Sequence, residues 1–202
     1  MKVYAIADAE ALGSTPLPAA VGAMAEAGVR WIQVRAKKLS GSDLFRALEE
    51  CCRAVEGSGA SLWVDDRADL AALFPVAGLH LGQADLPPAA ARRVVGGAVR
   101  IGLSTHDGEQ LAAADADAAV DVVAVGPVFP TSGKERPDPV VGLDFVSKAR
   151  RQTGKTLVAI GGIDESNVAE VLAAGADAAA VLGAVCRGDV LANCRRLIAA
   201  VS

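Results

Sequence analysis

The chain has 202 residues, 52 % of them hydrophobic and 22 % charged, with a formal net charge of −4. That suits one globular domain with a full core. It speaks against a nucleic-acid partner, because there is no basic excess and aromatics, at 3 %, are too few to stack bases. No run approaches the roughly 20 apolar residues of a membrane helix, so no membrane partner is expected. The N-terminal segment meets the charge of Asp8 too early for a signal peptide. The four cysteines lack metal spacing, so they read as free thiols of a cytoplasmic protein.

Short apolar runs alternate with helical patterns along the whole chain. A strand is predicted at residues 3–7 and a helix at 17–27. The second strand covers 30–35. The helix after it carries one apolar face, made of Leu44, Leu48, Cys51, Cys52 and Val55. Strands at 62–64, 78–81, 99–103, 122–125, 156–160 and 178–182 then alternate with helices at 68–74, 88–95, 108–118, 143–151, 167–174 and 190–200. The strand runs are as short and apolar as strands buried on both faces should be. Ala-Gly precedes a strand at Gly28, Gly78 and Gly175, where a helix end calls for a left-handed glycine. Eight such units predict a single closed (β/α)8 TIM barrel over residues 1–202. A doubly wound open sheet is the alternative, but the dinucleotide fingerprint is absent.

A barrel of this kind carries its site where the strands end. Gln33, Arg35 and Lys37 alternate there, so they share one face. A guanidinium and an ammonium together suit a diphosphate. Asp66 and Asp85 end neighbouring strands. Strands lie about 4.8 Å apart, close enough for the two carboxylates to share a Mg²⁺ ion. The alternatives are an N-cap for Asp66 and a cap or turn for Asp85. Asp65 is a third carboxylate beside them. Thr131-Ser132-Gly133-Lys134, in the one long loop, offers hydroxyls, flexible backbone and an ammonium to a phosphate, or is a surface loop. Gly161-Gly162 and Gly183 end the last two strands, where backbone N–H groups hold phosphate in many barrels. Of the two histidines, His80 reads as packed within a strand, while His106 is on the rim and could move protons. No nucleophile triad is visible.

Several segments resemble the thiamine phosphate synthase family. They are Gln33-Val34-Arg35-Ala36-Lys37, Asp65-Asp66-Arg67, Gly82-Gln83-Ala84-Asp85-Leu86-Pro87, Ile101-Gly102-Leu103-Ser104-Thr105-His106, the run Ala124–Thr131 with Lys134, and Ala159-Ile160-Gly161-Gly162-Ile163. They stand in order over nearly the whole chain. The thiazole tautomerases share the fold and several of these motifs.

The resemblance implies a transferase of thiamine biosynthesis. A hydroxymethylpyrimidine diphosphate loses pyrophosphate, and the nitrogen of a thiazole phosphate attacks the freed methylene. It implies that Gln33, Arg35, Lys37, Ser104 and Lys134 hold the pyrimidine diphosphate, with Val34 and Ala36 lining the same segment. It implies Mg²⁺ on Asp66 and Asp85. The thiazole phosphate then falls to Thr131, Ser132, Gly133, Gly162, Leu182 and Gly183. Asp65 stands where the family usually has Asn, which bears on pyrimidine recognition. Gly133 and Gly183 stand where the family usually has Thr and Ser. A tautomerase using His106 as acid and base, and a non-catalytic binder of thiamine precursors, are the competing readings.

Overall fold

The computed structural model describes residues 2–131 and 139–201. Eight strands pair in parallel and in sequence order, and β8 closes back on β1. They are β1 (Val3–Asp8), β2 (Trp31–Arg35), β3 (Ser61–Asp65), β4 (Gly78–Leu81), β5 (Arg100–Thr105), β6 (Val122–Val125), β7 (Thr156–Ile160) and β8 (Ala178–Val181). The β1–β8 pairing makes this a TIM barrel and rules out the open sheet. The helices are α1 (Leu17–Glu26), α2 (Gly41–Ala54), α3 (Ala68–Ala71), α4 (Pro88–Val95), α5 (Gly108–Ala116), α6 (Gly142–Gln152), α7 (Val168–Ala173), α8 (Gly183–Cys186) and α9 (Val190–Ala199). The short α8 was not expected from the sequence, and α3 is shorter than the pattern suggested.

The strands are buried on both faces, as their composition requires. One set of side chains, including Ile32, Val34, Val64, Leu79, Leu81 and Val123, packs outward under the helices. The alternate set fills the barrel: Tyr4, Ile6, Trp31, Trp63, Val122, Ala124, Val158, Ala178 and Ala180. α2 shows how local sequence serves this. Ser40 caps it by accepting from the Asp43 N–H at 3.1 Å. Its buried positions are Leu44, Leu48 and Cys51, while Cys52 is only half-buried.

Two of the expected left-handed glycines are as predicted, Gly28 at φ +97° and Gly175 at φ +111°. Gly78 is not one of them; it is the first residue of β4 and packs inside the barrel. A Cβ there would sit 2.3 Å from the Trp63 ring, and one at Gly102 would sit 2.6 Å from His80 Nδ1. Trp63 pairs with Gly78, and His80 with Gly102, across adjacent strands. Large and small residues thus alternate around the interior, and the large ones fill the space the glycines leave.

Candidate active site

The residues expected at the rim fall into two groups. The first is built at the ends of β1 to β5. Arg35, the last residue of β2, pairs with Asp8, the last residue of β1. On its other side its Nε lies 3.5 Å from Asp65 Oδ2. Lys37 binds the Asp66 carboxylate and lies 3.6 Å from Asp65 Oδ2. Asp66 and Asp85 lie close enough for the Asp85 charge to act on Asp66. The chain turns sharply to achieve this. Asp66 has φ +59°, and it is the one non-glycine residue in the left-handed region among the described residues. Its N–H donates to the His80 carbonyl at 2.9 Å, tying the end of β3 to β4. Asp66 is not an N-cap, since Arg67 occupies that position of α3 and makes no side-chain cap. Asp85 does close a local turn, accepting from the Gly82 N–H at 2.8 Å.

The electrostatics follow from crowding. Burial raises the Asp65 pKa, and the neighbouring Asp66 charge adds to this, while Lys37 and Arg35 oppose it. Burial also raises Asp66; its bond to Lys37 works against the shift and its contact with Asp85 works with it. Burial would lower Lys37, but its bond to Asp66 and the nearby carboxylates outweigh that and raise it. Asp65 Oδ2 is buried and too far from either cation for a hydrogen bond. Four carboxylates (Asp8, Asp65, Asp66 and Asp85) therefore share two described cations. An all-oxygen set with surplus negative charge fits a hard divalent cation. Among the described residues no group of three or more His, Cys, Asp or Glu side chains forms a ready metal cage. Mg²⁺ needs none, because it takes one or two carboxylates and completes its shell with water and phosphate oxygens.

Gln33 and Ser104 sit at different depths. Gln33 is buried below the rim, and its Nε2 donates to Tyr4 OH at 2.8 Å. Ser104 Oγ is 2.9 Å from His80 Nε2, and its carbonyl accepts from Gln83 Nε2 at 2.6 Å. Burial drives the His80 pKa down to about 4, with the Asp85 charge opposing, so the imidazole is neutral at ordinary pH. Val34 and Ala36 bury their side chains in the outer core, which leaves backbone as what they can offer a ligand.

The second group is built of backbone at the ends of β6 to β8. The segment after β6 zips onto the end of β7 through Val128 N–H to Ile160 O at 2.9 Å and Phe129 N–H to Gly161 O at 3.0 Å. Only glycine fits there. A Cβ at Gly126, Gly161 or Gly162 would lie 2.2, 2.5 or 2.6 Å from its neighbours, and Gly161 and Gly162 have φ +104° and +64°. This zipper sets the Pro130 carbonyl against Gly162. Leu182 and Gly183 open α8, whose first N–H groups have no acceptor within the helix. His106 is on the rim, its Nδ1 2.7 Å from the Gly126 carbonyl. Ser132, Gly133 and Lys134 lie outside the described residues.

The sequence reading passed over Asp8 and the Ser104–His80 contact. For Asp8 the signal was present: an acid closing an apolar run, the same pattern that marked Asp65 and Asp66.

Residues 3–185 match the family model described as thiamine monophosphate synthase. The chain belongs to that family. It is 44 % identical over 185 residues to a thiamine-phosphate synthase of Koribacter versatilis, covering 90 % of this chain and 87 % of the relative. It is 45 % identical over 170 residues to one from Acidothermus cellulolyticus, covering 84 % and 80 %. Among solved structures it superposes on a thiamine phosphate pyrophosphorylase from Pyrococcus furiosus with a TM-score of 0.89 and 30 % identity, over 99 % of this chain and 95 % of that one. Among the described residues, no helix is long and apolar enough to cross a membrane.

Proposed function

We propose that this family member is a Mg²⁺-dependent thiamine phosphate synthase, joining hydroxymethylpyrimidine diphosphate to a thiazole phosphate. The bond from the pyrimidine methylene to the diphosphate oxygen breaks, and pyrophosphate leaves with the electron pair. The thiazole nitrogen lone pair then forms the new bond to the methylene carbon. The observation that carries this reading is the meeting of Lys37, Asp66 and Asp85 beside Arg35 at the strand ends.

The chemical difficulty is charge on the leaving group, so most of the catalysis lies in neutralising and positioning it. Asp66 and Asp85 would hold the metal, which when bound supplies positive charge to the phosphate oxygens. Arg35, Lys37, Ser104 and Lys134 hold the diphosphate. Gln33 and Asp65 face the pyrimidine. The zipper and α8 offer the thiazole phosphate Thr131, the Gly162 backbone and the N–H groups opened by Leu182 and Gly183. A Cβ at Gly183 would meet nothing within 4 Å, so the missing side chain there leaves room rather than a filled wall.

Both substrates mixed with Mg²⁺ should yield thiamine phosphate and pyrophosphate in equal amounts, and EDTA should stop the reaction. Tight binding of both without pyrophosphate release would instead make the protein a non-catalytic binder. Isomerisation of a thiazole phosphate that survives EDTA, and is lost in His106→Ala, would make it a tautomerase.

A further inference from the structure

We propose that Asp8 is a positioning residue that aims the Arg35 guanidinium at the diphosphate. The inference rests on the synthase reading only in naming the diphosphate as what Arg35 meets. Asp8 is 3 % exposed and ends β1 directly opposite Arg35 in the strand register. One carboxylate oxygen, Oδ2, accepts from Arg35 Nη1. The other, Oδ1, accepts from the Ala11 N–H at 2.8 Å. The backbone repeats the tie, with the Ala9 N–H donating to the Arg35 carbonyl at 2.9 Å. Arg35 is thus gripped at both ends by the end of β1.

The grip matters because Arg35 has a competitor for its charge. Its Nε lies 3.5 Å from Asp65 Oδ2, a buried oxygen with no hydrogen bond of its own. Freed from Asp8, the guanidinium would close that gap and turn its fork onto Asp65. Held by Asp8 through Nη1, it keeps its remaining N–H groups for a ligand. A long side chain fixed in advance also loses less rotamer freedom when the ligand arrives.

The two oxygens of Asp8 make a clean test possible. Asp8→Asn keeps an oxygen for the Ala11 N–H but removes the charge that holds Arg35. Inorganic pyrophosphate with Mg²⁺ is titrated calorimetrically into the wild-type protein, Asp8→Asn, Arg35→Gln and the double variant. Asp8→Asn should weaken binding by about tenfold, and should change it less than about twofold once Arg35 is already Gln. In turnover, the KM for the pyrimidine diphosphate should rise while that for the thiazole phosphate holds. Unchanged pyrophosphate affinity in Asp8→Asn, or an equal loss in both backgrounds, overturns the proposal. So does an equal loss for both substrates together with a lower Tm, which marks a structural ion pair only. A wild-type protein that binds pyrophosphate but makes no thiamine phosphate refutes the synthase reading while the calorimetry still decides the role of Asp8.

Discussion

At the ends of β2 to β4 the rim places side chains by charge; at the ends of β6 and β7 it places backbone by shape. On the charged side, Arg35, Lys37, Asp65 and Asp66 hold one another through ion pairs, and none of them is needed to fill the barrel. On the backbone side, Gly126, Gly161 and Gly162 sit where no Cβ fits, and the loop after β6 is hydrogen-bonded to the end of β7. The two sides should therefore fail differently. Substitutions on the first should remove activity and spare the fold. Substitutions on the second should remove the fold, and activity with it.

The largest effect is expected at the charged side. Asp66→Ala and Asp85→Ala should each lower kcat by about a thousandfold, the size of several kcal/mol of lost charge stabilisation. Their Tm should move by only a few degrees, read by circular dichroism. A collapse of Tm would mean that this cluster is structural and would erase the contrast.

Gly126→Ala tests the other side. Its Cβ would meet the Ile160 carbonyl oxygen at 2.2 Å, and backbone cannot step aside as a side-chain tip can. The expected cost is about 3 kcal/mol or more by urea unfolding. Gly183→Ala is the control. With nothing within 4 Å of the added Cβ, it should stay within about 0.5 kcal/mol of the wild-type protein.

His80, on β4, ties the charged side together, since it touches Ser104 and its carbonyl accepts from the Asp66 N–H. Its imidazole stays neutral in the fold down to about pH 4, against 6.5 in the unfolded chain. Below pH 6.5 the unfolded chain therefore binds a proton that the folded protein refuses. Taken alone, His80 should cost about 3 kcal/mol of stability as pH drops from 6.5 to 4, while Asp65, held up at about 7, and Asp66 work the opposite way over the same window. The urea midpoint, followed over that window, should change slope in His80→Gln, falling less or rising more as pH drops. An unchanged slope would place the titrating groups elsewhere.

Much of this was legible in the sequence because period and punctuation report burial. Alternating apolar runs and helices gave the barrel, and the strand ends gave Arg35, Lys37, Asp66 and Asp85. What stayed hidden depends on lateral register, which no one-dimensional pattern carries. Gly78 reads as a helix end until Trp63 is placed beside it. Gln33 reads as a rim residue until Tyr4 is found beneath it. Asp8 reads as the polar end of a strand until β1 and β2 are aligned and Arg35 falls opposite.

The left-handed turn at Asp66 was hidden too, and it gives the smallest and most specific test. An L-residue at φ +59° is strained by about 1 kcal/mol, strain that glycine does not feel. Asp66→Gly and Asp66→Ala both remove the carboxylate, so both should be inactive. They should differ in stability, with Asp66→Gly the more stable by about 1 kcal/mol in urea unfolding. At an ordinary backbone position the sign is the reverse, because glycine loses more freedom on folding. The inverted sign would show that the charged side of the rim stores backbone strain to hold a carboxylate against Lys37 and Asp85. Equal stability, or a more stable Asp66→Ala, would show that the left-handed turn places the carboxylate without strain.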